Sequence, residues 1–335
     1  MQRYCDHGIV CNREMLELVE EARNLAARLV HAEPAEITFV KNTTQGLLLA
    51  ANGIRWQKGD NVVIPEKEFP ANVFPWLNLT EAGVEVRFVP LRGGRFTVED
   101  IDRFVDSRTR AISVSAVSFV DGFRCDLEGI GRYCKDKDIF FVVDAIQALG
   151  AVDVDVRECR CDVLSADSHK WLLGPQGIGF AYVSTNALDR LKVSNMGWMS
   201  MTDEGNHLCY DIRLKHSAAR FEEGTLNILG IMGLKATLEM LLAIGIPVIQ
   251  SRILELLDQL VAGLTEKNYE IRSSMKISER SGILSFAHRQ RSAEEIFRRL
   301  FEANVVCALR DNAVRLSPHF YNNTVDIRKF LDALC

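Results

Sequence analysis

The stretch Leu164-Ser165-Ala166-Asp167-Ser168-His169-Lys170-Trp171-Leu172-Leu173-Gly174-Pro175 reads as a short apolar strand running into a lysine and then a glycine-rich turn. A second run, Ile139-Phe140-Phe141-Val142-Val143, ends in Asp144. In an open α/β sheet the C-terminal ends of the strands face the ligand crevice, so the two runs offer an amine and a carboxylate to one site. A lysine alone is ordinarily a solvated surface residue. Paired with Asp144, Lys170 acquires a chemical reading: the amine can hold an aldehyde as an imine while the carboxylate keeps a pyridine nitrogen protonated. Pyridoxal phosphate asks for those two groups.

Around these runs strands and helices alternate. Apolar residues Met15, Leu18, Val19, Ala22, Leu25, Ala26 and Leu29 recur at helical spacing, which predicts a helix over 12–30. Strands are expected at Ile37–Val40, Asn61–Ile64, Val84–Val89, Ala111–Ser115, Ile139–Val143, Asp162–Ser165 and Ile178–Val183, with helical patterns such as Leu127–Cys134 between them. That alternation implies an α/β fold with a mostly parallel sheet. Beyond Thr225 two long helices are expected, to about Ala243 and, after Pro247, to about Leu264. A smaller α+β unit follows, with strands Ile283–Phe286 and Val305–Leu309, a capping box at Ser292 and Glu295, and a last helix after Thr324. The division is placed near Gly245–Pro247, giving a large domain over 1–245 and a small C-terminal domain over 246–335.

A chain of 335 residues, 47% of them hydrophobic, can bury a large core. Its net charge of −5, with both signs interspersed, gives no footprint for nucleic acid or an anionic membrane, so a small molecule is the expected ligand. Nine scattered cysteines lack CxxC spacing. Cys159-Arg160-Cys161 has no second pair to complete a zinc site, so no metal is expected and reduced thiols fit. The start of the chain shows no apolar signal stretch, and the run Ile228 to Ile249 is broken by Lys235, Glu239 and Pro247. A soluble cytoplasmic protein is expected.

Asn42-Thr43-Thr44-Gln45-Gly46 follows the first strand and opens a helix, which brings backbone amides and two hydroxyls together as a phosphate cradle. By itself the motif is better read as an ordinary threonine N-cap, and the cradle gains weight only beside Lys170 and Asp144. Gly174-Pro175-Gln176-Gly177-Ile178-Gly179 lacks both the position and the downstream acid of a dinucleotide fingerprint, and is read as a tight turn after the lysine.

Taken in order, these residues resemble the class V aminotransferases of pyridoxal phosphate fold type I (aspartate-aminotransferase-like), a family that includes cysteine desulfurases, selenocysteine lyases and isopenicillin-epimerase-like enzymes. The resemblance runs from about Glu14 to the C-terminus, through Asn42–Gly46, Glu68-Phe69-Pro70-Ala71-Asn72-Val73-Phe74-Pro75-Trp76, Val143–Gln147, Ser168-His169-Lys170, Arg220–Asn227 and Arg315-Leu316-Ser317-Pro318-His319-Phe320-Tyr321-Asn322. It implies Lys170 as the imine-forming lysine and the base for the Cα proton, Asp144 as the partner of the ring nitrogen, and Gln147 as a ligand of the phenolic oxygen. Phe69 would stack on the ring, where relatives often carry histidine. Thr44 and His169 would hold the phosphate, with Thr43 supporting the turn, and Thr225 would reach the phosphate of a partner subunit in a homodimer with shared active sites. Arg315 would bind the substrate α-carboxylate.

Asp167 stands where desulfurases have a phosphate-binding serine, and Ser168 is the expected substitute donor. Phe119 replaces an asparagine that helps bind the carboxylate. The chain also begins later than family members normally do, and the resemblance implies that a longer lead-in would complete the small domain.

The reaction expected is that of a pyridoxal-phosphate-dependent aminotransferase acting on an amino acid, through an external aldimine and removal of the Cα proton by Lys170. A desulfurase places its nucleophilic cysteine on a loop just before the carboxylate-binding arginine. Here Arg310-Asp311-Asn312-Ala313 contains none, and Cys307 is expected to be buried inside a strand. A cysteine or selenocysteine lyase, an epimerase, an inactive relative and a nucleotide-dependent oxidoreductase remain as alternatives.

Overall fold

The computed structural model describes residues 12–206, 208 and 210–334. Helix α1 (Asn12–Leu29) buries Val19, Ala22, Ala26 and Leu29 and packs on α4 (Ile228–Ile244). Between them lie α2 (Thr43–Gly53) and α3 (Leu127–Asp136), and seven strands: β1 (Ile37–Val40), β2 (Asn61–Pro65), β3 (Glu85–Val89), β4 (Thr109–Ser115), β5 (Phe140–Asp144), β6 (Val163–Asp167) and β7 (Gly179–Val183). They form one sheet in the order β1-β7-β6-β5-β4-β2-β3.

Helical crossovers keep β2 to β6 parallel, whereas β7 runs antiparallel to both β6 and β1. The reason lies in the link from β6 to β7. It is an irregular turn with no helix, and a direct return of that kind yields an antiparallel neighbour. That same turn carries Lys170.

Apolar residues cover both faces of the sheet. Side chains alternate along each strand, so Phe141 and Val143 join the core beneath α1 and α4, while Phe140 and Val142 join the core beneath α2. Asp144 follows in the second series and therefore emerges on the α2 face, at the C-terminal edge of the sheet.

Helix α4 ends at Gly245, whose φ of +91° turns the chain by 78° into α5 (Ile246–Glu266). Pro247 sits inside the first turn of α5, where its missing N–H has no intrahelical partner to lose. No single described helix is long and apolar enough to cross a membrane. A four-stranded antiparallel sheet follows in the order β10-β11-β9-β8, built from β8 (Glu270–Ile271), β9 (Leu284–Ala287), β10 (Ala308–Arg310) and β11 (Ala313–Leu316). It packs with α6 (Ala293–Glu302), where Ser292 accepts the Glu295 amide at 3.1 Å as a simple N-cap in place of the expected capping box, and α7 (Thr324–Ala333).

The strand expected over Val305–Leu309 is corrected to Ala308–Arg310. Pairing begins at Ala308 opposite Arg315, and continuing it backwards would set Ser317 and Pro318 against residues 306 and 305. Proline has no N–H to contribute to a ladder. Val306 is consequently 97% exposed, and Cys307 lies ahead of the strand and is only half-buried, contrary to the expectation that it is buried inside one.

Candidate active site

The carboxyl-terminal edges of β5 and β6 set the chemistry. Asp144 Oδ1 accepts the Ile146 amide at 3.0 Å, while Oδ2 is buried with no hydrogen-bond partner among the described residues. Burial pushes this carboxyl up to about 6, and only the Ile146 amide and the nearby charge of Lys170 oppose it. From β6 the chain enters the lysine turn, closed by the Gly174 amide on the Ser168 carbonyl (2.8 Å) and by the Leu173 amide on the Lys170 carbonyl (3.0 Å). Lys170 Nζ stands 5.5 Å from the centre of the Phe69 ring, which meets Phe119 edge to face at 5.2 Å. Burial lowers the Lys170 pKa, Arg315 and Arg310 lower it further, and Asp144 and Asp167 act against them.

The cap of α2 is Asn42, whose side chain accepts the Gln45 amide at 2.9 Å, while Gln45 Oε1 accepts the Lys41 amide at 2.7 Å. The two threonines are thus not spent on capping. Thr43 Oγ1 accepts the Asp167 amide at 3.0 Å, and the half-buried Thr44 follows in the first turn. A Cβ at Gly46 would fall 2.1 Å from Ser165 Oγ, so glycine is what lets the helix start lie directly on β6.

One expectation for the turn changes. Ser168 is fully buried and its hydroxyl donates to the Pro175 carbonyl, so it has no hydrogen left for a phosphate. Asp167 turns inward: Oδ1 accepts the Ser168 amide at 2.7 Å and Oδ2 lies 3.2 Å from His169 Nδ1. Its charge is directed at partners on its own turn. His169 retains a partly exposed ring.

Gln147 is buried and uses Oε1 to accept Trp171 Nε1 at 3.1 Å, which leaves its amide hydrogens for a ligand. Arg315, on β11, donates from Nη1 to the Phe119 carbonyl, and its Nε is buried without a partner among the described residues. Burial and Arg310 hold it down to about 10. The structure thus brings Lys170, Asp144, Phe69 and Arg315 around one crevice. Thr225 is exposed in the stretch before α4 and is not drawn into that crevice.

Three residues were given no role in the sequence. Glu68 accepts the Ser115 amide at 2.7 Å and the Ser115 hydroxyl, and burial pushes its carboxyl up to about 7, with Asp144 adding to the rise. It follows the end of β2, so the strand-end rule that selected Asp144 could have found it. Arg310 shares a face of the β10–β11 hairpin with Arg315, because Ala308 pairs with Arg315 and Arg310 with Ala313. His319 contacts Trp171, which nothing in the local pattern announces.

Two of these features bear on whether pyridoxal phosphate fits. The orphaned, buried Asp144 Oδ2 is an acceptor suited to a protonated ring nitrogen, and the close approach allowed by Gly46 forms a cradle at a helix start for the phosphate. The comparisons agree. Residues 9–330 match the model of the aminotransferase class-V family. A probable cysteine desulfurase of Methanothermobacter thermautotrophicus is 33% identical over 330 residues, spanning 92% of this chain and 81% of that protein. An uncharacterized aminotransferase of Bacillus subtilis is 29% identical over 96% of this chain and 84% of its own. The apo cysteine desulfurase of Thermococcus onnurineus NA1 superposes with a TM-score of 0.88 at 26% identity, covering 96% of this chain and 84% of that one. A family match over nearly the whole length, and one residue in three shared with a relative across most of both chains, establish that this chain belongs to the aminotransferase class-V family, fold type I enzymes whose cofactor is pyridoxal phosphate.

Proposed function

We propose that this chain is an aminotransferase-type enzyme that removes the Cα proton of an amino acid and uses no cysteine of its own as a sulfur acceptor. The β10–β11 hairpin carries the reading. Only Asp311 and Asn312 join the two strands, both with positive φ (48° and 58°), the turn geometry that matches strand twist. A turn this short offers no mobile arm, and it contains no cysteine. Cys307, before β10, has its thiol pushed up to about 11 by burial, so almost none of it is the nucleophilic thiolate near neutral pH.

The remaining residues support this reading. Asp144 would hold the ring nitrogen, Gln147 the phenolic oxygen, and Phe69 the ring face. The start of α2, with Thr43 and Thr44, would hold the phosphate together with His169. Bound pyridoxal phosphate supplies the electron sink for the Cα–H bond. Arg315 would take the substrate carboxylate, using the unpartnered Nε while Nη1 stays tied to Phe119. Lys170 would then remove the Cα proton, and its lowered pKa favours the free amine that a base requires.

The segment bearing Thr225 is anchored at Glu222, which forms a two-pronged ion pair with Arg23 on α1 (2.8 and 3.1 Å). An exposed Thr225 held this firmly suits a contact with a second copy, so a homodimer with shared sites is part of the proposal.

A second reading, sulfur release from cysteine, is favoured by the relative named as a probable cysteine desulfurase. Incubation of the cofactor-loaded protein with single L-amino acids, cysteine among them, separates the two. Keto acid formed together with conversion of the cofactor to its amine form supports amino transfer. Sulfide release with a sulfur adduct on any cysteine of the chain, found by intact-mass and peptide analysis, refutes it.

A further inference from the structure

His319 belongs to the segment that presents Arg315, four residues beyond it, yet its ring reaches into the lysine turn. Nε2 lies 3.1 Å from the Trp171 carbonyl, and Nδ1 accepts the Phe320 amide at 2.9 Å. With Nδ1 already an acceptor, the proton sits on Nε2 and is donated to Trp171. A neutral imidazole satisfies both contacts and a protonated one cannot. Burial lowers the pKa of this ring in the same sense. The ring is 4% exposed and lies flat against Tyr321 (5.0 Å, 8°).

The Trp171 peptide has little freedom of its own. A Cβ on Gly150 would fall 2.4 Å from its carbonyl oxygen, its indole Nε1 is held by Gln147, and its ring occupies the space that a Cβ on Gly282 would need, 2.4 Å away. Trp171 directly follows Lys170. One hydrogen bond therefore ties the segment carrying the carboxylate-binding guanidinium to the turn carrying the amine.

We propose that His319 is a positioning residue that fixes Lys170 relative to Arg315, acting as a neutral Nε2–H imidazole on the Trp171 carbonyl. The proposal rests on Lys170 and Arg315 having the roles given above. The distance between the base and the carboxylate site decides whether the Cα proton lies within reach, and a misplacement of about 1 Å costs on the order of 100-fold in rate.

The test compares H319F, which keeps an aromatic ring of similar size and loses both nitrogens, with H319Q, which restores a donor near Nε2. Thermal unfolding normalises for packing. H319F is expected to bind pyridoxal phosphate, to lower kcat for Cα proton exchange about 10- to 100-fold while KM changes less than about threefold, and to shift the spectral titration of the cofactor attached to Lys170. H319Q should recover most of both. In the cofactor-free protein, ¹⁵N resonances of His319 should report the Nε2–H form at neutral pH. Unchanged kcat and titration in H319F, failure of an equally stable H319Q to recover either, or an Nδ1–H or protonated ring would overturn the proposal. K170A separates it from the functional reading: turnover that survives in K170A removes the base role, whereas a shifted titration in H319F without turnover on any amino acid leaves the positioning role standing.

Discussion

Replacing Asp144 by asparagine should stabilise the cofactor-free protein and disable the holoenzyme. The carboxyl is 2% exposed, and burial raises it from an ordinary 3.8 to about 6. Because the folded chain holds this proton more tightly than the unfolded chain, ionisation opposes folding. Below about pH 4 both states are protonated and nothing is lost. Stability then falls as pH rises towards 6, and above that the full penalty applies. Each pKa unit is about 1.4 kcal/mol, so the penalty is about 3 kcal/mol at pH 8. Asparagine keeps an oxygen for the Ile146 amide and carries no charge to bury. With an unfolding entropy of about 2.1 cal/mol/K per residue, the whole chain should gain roughly 4 °C in Tm. Calorimetry of cofactor-free D144N and the parent at pH 4, 6 and 8 measures this directly, with a gap that opens as pH rises. A gap that is equal at all three values, or a less stable D144N at pH 8, would refute the reasoning. In the loaded enzyme the same change leaves the ring nitrogen without an anionic partner, so Cα proton exchange should slow severely even where the cofactor still binds. Near-normal exchange would remove the role given to Asp144.

Lys170→Ala should abolish covalent attachment of the cofactor, and borohydride reduction followed by peptide mapping should find the pyridoxyl group on Lys170 and on no other lysine. Arg23→Met leaves Glu222 buried and uncompensated, at a cost of about 3–5 kcal/mol, whereas R23M/E222L should cost clearly less than the two single changes added together; additive losses in chemical denaturation would contradict the pairing. Cys307→Ser should leave cofactor binding intact and alter turnover by less than about twofold, and sulfide release from L-cysteine that disappears in C307S would restore a desulfurase reading. Sedimentation should show a dimer at micromolar concentration, and a fully active monomer would exclude the cross-subunit role of Thr225.

Much of the site is legible in the amino-acid sequence, because its first signals are local. An apolar run that ends in a charged residue marks a strand end. The order Asn42–Gly46, Asp144, Lys170 then specifies where a ring, an aldehyde and a phosphate could sit. Strand limits are less legible. Val305, Val306 and Cys307 look like strand residues, yet the ladder starts only at Ala308, and Pro318, which the register would set opposite Val305, has no N–H to extend it. Ser168 is a plausible phosphate donor by position alone, and only the approach of Pro175 shows its hydroxyl to be occupied.

The sequence by itself determined the fold class, the strand-end lysine and carboxylate, and the missing cysteine in the hairpin, since periodicity, strand termini and residue identity are properties of short windows of chain. The tertiary structure alone decided that Asp167 turns to His169, that Glu68 grips Ser115 beside Asp144, that Arg310 joins Arg315 on one hairpin face, and that His319 holds the peptide next to Lys170. Those contacts depend on how side chains pack and on which polar groups burial forces to find partners, and no local pattern encodes either.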